Sequence, residues 1–507
     1  MPRVIGGKPM KVWLGPVMGL RGATDREWHL SVLLVIDVEA PPDLVWRIAH
    51  EGAPQAAPAP RLIGRPHGQC AWRYELQITR DAQDSVIEYS LGDIGPCQII
   101  VPAAGAAPRM AYASCNGFSN PRDMKRIKNK NALWSDLLKV HSGTPFHLLL
   151  LGGDQVYSDA LWEQVPPIKR WAELRRKRRL DAPFDAGMRE AVDKFFFDLY
   201  WSRWSQREPQ QAFASIPTLM MWDDHDIFDG WGSYPDNELK CDVFREIFGI
   251  ARAYFRMFQL QLGEGETLAS AIPGQAHFTY GHHLGSLTIV ALDMRSERTE
   301  TQVMSKSSWD AAYAWMEALP EHAHLLVMTS IPVVHPDFSV LERLLGRLPG
   351  RQELEDDLKD HWNSRTHKEE RLRFIHRLLA LSAAKRCRVT LLSGDVHVAA
   401  VGIIDSRRSQ GSDRYAQVIN QLTSSGIVHP PPPGMALHFL ESMGDKVEEP
   451  DRDLTTRMLP FPGTEHRFIG CRNWLSLTPD SEGRIWCEWH VEGEPRSFTK
   501  VVHPCTA

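Results

Sequence analysis

Between residues 110 and 440 the chain alternates short apolar runs with longer stretches of helical period. "MAYASC", "FHLLLLGGD", "PTLMMWDDHD", "LTIVALDMR", "HLLVMTS" and "RVTLLSGDVH" read as buried strands, being short and almost continuously apolar. Between them, "REAVDKFFFDLYWSRW", "VFREIFGIARAYFRMF" and "KEERLRFIHRLLALSAAK" read as amphipathic helices. This alternation predicts an α/β, four-layer α/β/β/α domain over 106–440. Upstream, "KVWLGPVMGL", "EWHLSVLLVIDV", "CAWRYELQIT", "SVIEYSLG" and "CQIIVPA" are β-branched and aromatic runs between turn residues, and predict an N-terminal β-sandwich over 1–105. The Pro- and Ala-rich "PPDLVWRIAHEGAPQAAPAPRLIGRP" reads as a loop within it, and "PAAGAAPR" as the boundary that follows. Downstream, "NWLSLTPDSEGRIWCEWHVEGE" predicts a hairpin turning at Gly483, in a C-terminal extension over 441–507 that packs on the 106–440 domain.

Composition narrows the classes. With 507 residues, 43% hydrophobic and 24% charged, the chain is globular and long enough for two or three domains. A net charge of -5 gives no reason to expect nucleic acid or an anionic membrane as partner. No apolar run of about 18 residues exists, so no membrane span is expected. The first twenty residues have neither a clean apolar core nor a twin arginine, which leads us to expect a cytoplasmic location. The eight cysteines are scattered without CxxC spacing, so free thiols are expected.

The chemistry lies where the strands stop. "YASCNG" delivers Cys115, "LLLGGDQVY" delivers Asp154 with Tyr157, "LMMWDDHD" delivers Asp223 to Asp226, and "TLLSGDVH" delivers Asp395 and His397. Any one of these has an ordinary reading: a Gly-Asp turn, a rim tyrosine, a buried small thiol. Three carboxylates around one histidine in "WDDHD" repel one another unless cations neutralise them. Carboxylates at several strand ends are costly to bury unless paired or metal-bound, and in layered α/β folds strand ends are where sites assemble. The conjunction therefore predicts a metal centre. A thiolate, a phenolate and an imidazole with a carboxylate suit iron, whereas Asp224, Asp395 and a shared Asp154 offer only hard oxygens and suit calcium or manganese. Paired metals of that kind polarise phosphoryl oxygens and generate a hydroxide nucleophile.

The ordered set GDxxY, Asp-His-Asp, then GDxH resembles the calcineurin-like metallophosphoesterases in their purple acid phosphatase order. With "ASC" upstream and "LDMRSERT" between, it is similar to the PhoD-like alkaline phosphatases and phosphodiesterases in particular. The region around "LGPVMGLRGATDREWHLSVLL" is similar to the β-domain preceding the catalytic domain in that family. The resemblance implies Fe3+ held by Cys115, Asp154, Tyr157 and His397. It implies Ca2+, with Mn2+ or another divalent ion as the alternative, held by Asp154, Asp224 and Asp395, and Asp229 as an additional ligand. His225 falls where the superfamily places a histidine near the leaving group. Arg295 is a candidate to fork onto a phosphate oxygen, a salt bridge to Asp293 or Glu297 being the equal alternative. The implied activity is hydrolysis of phosphate monoesters or diesters by a metal-bound hydroxide at a dinuclear or trinuclear site. The superfamily's VxxH histidine is missing, Ser330 standing in its place, and His335 reads as a loop residue.

Two basic stretches, 121–131 and 168–182, are either solvated faces or a funnel for an anionic substrate, with an anionic polymer or nucleotide-like diester among the candidates. The second reads as one helix. The rival function is a metal-stabilised protein that binds nucleic acid or another anion with little turnover, recognisable by salt-dependent binding without hydrolysis.

Overall fold

The computed structural model describes residues 10–49, 52–274, 277–321, 324–336, 367–407 and 418–505. The opening residues 1–9, used above to expect a cytoplasmic location, lie outside them. The fold is mixed α/β with several sheets. The four strands ending on candidate site residues divide between the two large sheets.

Met110–Ala113, Leu148–Gly152 and Thr218–Met221 lie side by side and parallel in a ten-stranded sheet. Parallel neighbours point their C-terminal ends the same way, so Cys115, Asp154 and the 223–226 segment emerge along one edge. Arg388–Ser393, which precedes Asp395 and His397, is the fourth strand of a nine-stranded sheet, parallel to His324–Met328 and Val418–Thr423. Side chains of the second sheet alternate between two cores. Ile289, Ala291, Leu326, Met328 and Leu392 join the core that contains the first sheet. Val290, Leu325, Val327, Val389 and Leu391 join one made with helices Lys306–Glu317 and Lys368–Lys385. A strand apolar on both faces is what a sheet covered on both sides requires.

The strands of the first hundred residues are present, but they divide. Val12–Ala23, Glu27–Ile36, Arg61–Gly64 and Cys70–Thr79 extend the ten-stranded sheet, joined to Thr218–Met221 through the single parallel register pair Gly19 and Thr218. Leu44–Ile48, Gln55–Ala56, Ser85–Leu91 and Ile94–Val101 form a separate four-stranded sheet. The Pro- and Ala-rich segment expected as a loop thus contains three short strands, Leu44–Ile48, Gln55–Ala56 and Arg61–Gly64. Gln55–Ala56 and Arg61–Gly64 sit at sheet edges, where proline is tolerated. The hairpin Asn473–Pro479 with Ile485–Val491 pairs onto Met110–Ala113, so the C-terminal segment is built into the main sheet.

The helix expected over 243–258 runs as Asp242–Tyr254 and then widens into a π-helical turn, Phe255–Gln259. That turn places Gln259, whose amide donates to Asp226 at 2.9 Å. The basic stretch 168–182 is not one helix. It breaks into Pro166–Ala172 and Arg176–Asp181, and Lys169, Arg170 and Arg175 to Arg178 are exposed. Among the described residues no helix is long and apolar enough to cross a membrane.

Candidate metal centre

The two glycines after the leucine run are dictated by close approach. A Cβ on Gly152 would stand 1.9 Å from the Tyr112 hydroxyl, and Gly153, at φ +104°, has the Asp223 side chain 2.7 Å from where a Cβ would be. This tight turn presents Asp154 fully buried. The backbone at the centre is itself strained. Of eight non-glycine residues with positive φ among those described, four are Cys115 (56°), Asp154 (55°), Asp395 (65°) and His397 (54°). Each such conformation costs on the order of 1–2 kcal/mol, and such costs gather where function requires a geometry.

Cys115, Asp154 and Tyr157 meet directly. The Cys115 Sγ and the Tyr157 hydroxyl each lie 3.4 Å from Asp154 Oδ2. His397 joins them through Ser425, whose Oγ is 3.0 Å from Cys115 Sγ and accepts the His397 backbone N–H at 3.1 Å. Burial pushes the Cys115 thiol and the Tyr157 phenol well above their ordinary pKa values and holds His397 well below its own. On the other side, ligand atoms of Asp154, Asp224 and His225 lie within 4.8 Å of one another, as do those of Asp223, Asp224 and Asp395. Burial, and after it the carboxylates of Asp223, Asp224 and Asp226, raise Asp154 far above the usual carboxylate range, with His225 opposing.

The residues of "WDDHD" divide their work. Asp226 is structural: its Oδ1 accepts from the backbone N–H groups of Gln155 and Val156 at 3.1 and 3.3 Å, fixing the loop that carries Asp154. Asp223 and Asp224 face the centre, and Arg295 lies against both. The Arg295 guanidinium is wholly buried and also donates to the Trp231 carbonyl at 3.1 Å. It is a counter-ion to the acid pair, and its backbone N–H donates to Asp293 at 3.1 Å. Asp229 joins neither carboxylate group. Its backbone N–H bonds Asp159 and its carbonyl accepts from Tyr234. Ser330 is buried, and its carbonyl accepts from Gly394. His335 lies apart, lining a cavity with Met443, Val447 and Met458.

Three contributors escaped the sequence reading. Asp159 accepts from His225 Nδ1 at 2.9 Å. Burial acts to lower the His225 pKa, but Asp159, Asp224 and Asp154 outweigh it and raise it well above the ordinary value. The Asp159 signal was present as the second acid of "GGDQVYSDA". Asp223 was visible in "WDDHD", but nothing in the string ranks it with Asp224. His429, in "VHPPPPG", stacks on His397 at 3.7 Å and lies 5.3 Å from the Tyr157 ring. Its Nδ1 donates to the Pro430 carbonyl, and burial lowers it to about 3, so it packs as a neutral ring.

Do these residues fit metal ions? Asp154 Oδ1 is buried without a hydrogen-bond partner among the described residues. A carboxylate oxygen with no donor, among further carboxylates, is an arrangement that cations satisfy and hydrogen bonds here do not. The donor set is soft at Cys115 and hard at the aspartates, a combination that metal ions accept as ligands.

A family model for PhoD related phosphatases matches residues 99–350 and 344–450. An uncharacterized protein of Saccharomyces cerevisiae is 26% identical over 496 residues, an alignment covering 80% of this chain and 70% of that protein. A solved structure of PhoD superposes with a TM-score of 0.56 at 13% identity, covering 96% of this chain and 88% of that one, which speaks to the fold. Because that family model spans most of the chain, from residue 99 to residue 450, the chain belongs to the PhoD related phosphatase family.

Proposed function

We propose that the protein hydrolyses phosphate esters, monoesters or diesters, at a centre of two or three metal ions. The observation that carries this reading is the gathering of Cys115, Asp154, Asp395 and His397, each in left-handed backbone, at adjoining strand ends. Cys115, Asp154, Tyr157 and His397 would hold iron. Asp154, Asp223, Asp224 and Asp395 would hold calcium or manganese, with Arg295 balancing their charge. Bound there, the ions would polarise phosphoryl oxygens and bring the pKa of water toward neutrality. His225, held through Nδ1 by Asp159, would give a proton to a leaving oxygen. Within this reading 106–440 carries the chemistry as a four-layer α/β/β/α unit, flanked by 1–105 and 441–507, and a cytoplasmic phosphate ester is the substrate.

Metal analysis by mass spectrometry, with hydrolysis of bis-p-nitrophenyl and p-nitrophenyl phosphate, tests it. We expect bound metal and cleavage of at least one ester. Protein that holds no metal and cleaves neither ester with added iron, calcium or manganese would end the proposal.

A further inference from the structure

Beside the centre lies a cavity of about 770 Å3. Part of its wall is the centre's own framework: Asn116 and Gly117, next in the chain after Cys115, and the Tyr157 ring. Much of the remainder is apolar, formed by Phe118, Met124, Val165, Phe195, Leu199 and Trp201. The volume lies within the range of small-molecule sites, roughly 300–1,000 Å3, and exceeds what a phosphate group alone fills.

The polar groups of this wall are largely committed to one another. Arg203 donates to the Asn116 carbonyl at 2.6 Å, to Asn131 at 2.9 Å and to Gln206 at 3.0 Å. The Gln206 amide goes to the Ser202 carbonyl at 3.1 Å, the Asn116 side chain accepts from Trp134 at 2.8 Å, and Lys194 pairs with Asp198. A site that reads a nucleobase or a sugar needs donors and acceptors held open for it, and this wall offers few. Lys130 makes no ion pair among the described residues, which leaves a cation in the wall for an anionic ligand.

We propose that this cavity takes a hydrocarbon arm, alkyl or aryl, of a phosphate ester whose phosphorus sits at the metal centre. The proposal rests on the hydrolase reading and adds the substrate class. Its test uses methyl, butyl and octyl p-nitrophenyl phosphates with the manganese-loaded full chain. Water adds to phosphorus, the bond to p-nitrophenolate breaks, a proton passes to solvent, and the monoalkyl phosphate remains.

Each methylene fully removed from water is worth at most about fourfold. The octyl ester should therefore exceed the methyl ester in kcat/KM by roughly 100-fold or more, with octylphosphonate outbinding methylphosphonate by a similar factor in calorimetry. Met124 is 49% exposed, so Met124→Glu does not threaten the fold. It and Leu199→Gln should shrink both octyl-to-methyl ratios several-fold. Equal values across the arms, ratios untouched in both variants, or a thymidine arm preferred to octyl would overturn the assignment. The two readings fail separately. Chain-length-dependent phosphonate binding without cleavage keeps the cavity and removes the hydrolase, whereas cleavage at one rate for every arm does the reverse.

Discussion

The Asp84 cluster and the candidate metal centre, both built from ionisable side chains, follow opposite plans. At the Asp84 cluster, Arg109 and His147 converge on the Asp84 Oδ2 at 2.8 and 3.0 Å, while the Ala103 N–H takes Oδ1 at 2.9 Å. The Arg109 backbone N–H meets His147 Nδ1 at 2.9 Å, and its Nε meets the Pro145 carbonyl at 2.8 Å. Donors and acceptors are matched, and none of the three residues has positive φ. At the centre, four aspartates (Asp154, Asp223, Asp224 and Asp395) stand against Arg295 and His225, Asp154 Oδ1 has no hydrogen-bond partner among the described residues, and the backbone is left-handed at four of the residues. The first cluster completes itself and serves the fold. The second is complete only with added positive charge, the mark of a site organised for ligands.

One chemical change made in both places separates these plans most sharply. Asp154→Asn alters a buried carboxylate whose Oδ1 has no hydrogen-bond partner among the described residues, so folding should be unharmed. Activity should fall at least about 1000-fold, roughly 4 kcal/mol, with the loss of one equivalent of metal. Asp84→Asn should weaken folding in urea and leave metal content alone. Loss of stability at Asp154→Asn with full activity would reverse the comparison.

Acid is the next lever. Burial, then Arg109, lowers His147 to about 4, with Asp84 opposing, and His141 is likewise lowered to about 4 by burial. Nδ1 of each ring accepts a backbone N–H, from Arg109 and Phe146 respectively, a bond that protonation would break. Above pH 6.5 both rings are neutral, folded or unfolded. As pH falls from 6.5 toward 4 the unfolded chain binds protons that the folded one refuses, so stability is lost across that window. Each histidine contributes up to about 3 kcal/mol to the loss. Urea unfolding at pH 7.5, 6 and 5 should show the decline, and His147→Gln should flatten it. An unchanged slope would mean that His147 is not buried neutral.

Asp159→Asn acts on the centre without touching a carboxylate of either metal group. We expect kcat to drop about 10- to 100-fold through misplacement of His225. KM and metal content should stay, a division that general loss of structure would not give.

How much of this was legible beforehand depends on whether the partner is near in sequence. Asp154, Asp224 and Asp395 each follow an apolar run, so strand ends and acids could be read together. The His225–Asp159 pair spans 66 positions, and His429 reaches His397 from the loop after a different strand. Nothing in the string states such pairings. The choice between Asp223 and Asp224 was equally hidden, because direction in a 3-10 turn follows from its dihedral angles. In the N-terminal region the strands were legible but their sheet was not: one parallel pair, Gly19 with Thr218, makes them continuous with the main sheet. The fate of Arg295 was the least readable, since its partners, Asp223 and Asp224, lie about seventy positions upstream.

The smallest expected change is in Tyr157. Its ring stacks on His225 at 4.3 Å and lies 5.3 Å from His429, so Tyr157→Phe keeps the packing and deletes one oxygen, 3.4 Å from Asp154 Oδ2. The Asp84 cluster has no such member, since each of its polar atoms is needed for balance. If the soft side of the centre holds iron, the phenolate gives a visible charge-transfer band that the variant must lose, while turnover falls less than about tenfold because the remaining ligands stay. If the spectrum of the iron-loaded variant matches that of the parent, Tyr157 is a rim tyrosine satisfied by Asp154. The ligand set at that side then shrinks to Cys115, Asp154 and His397.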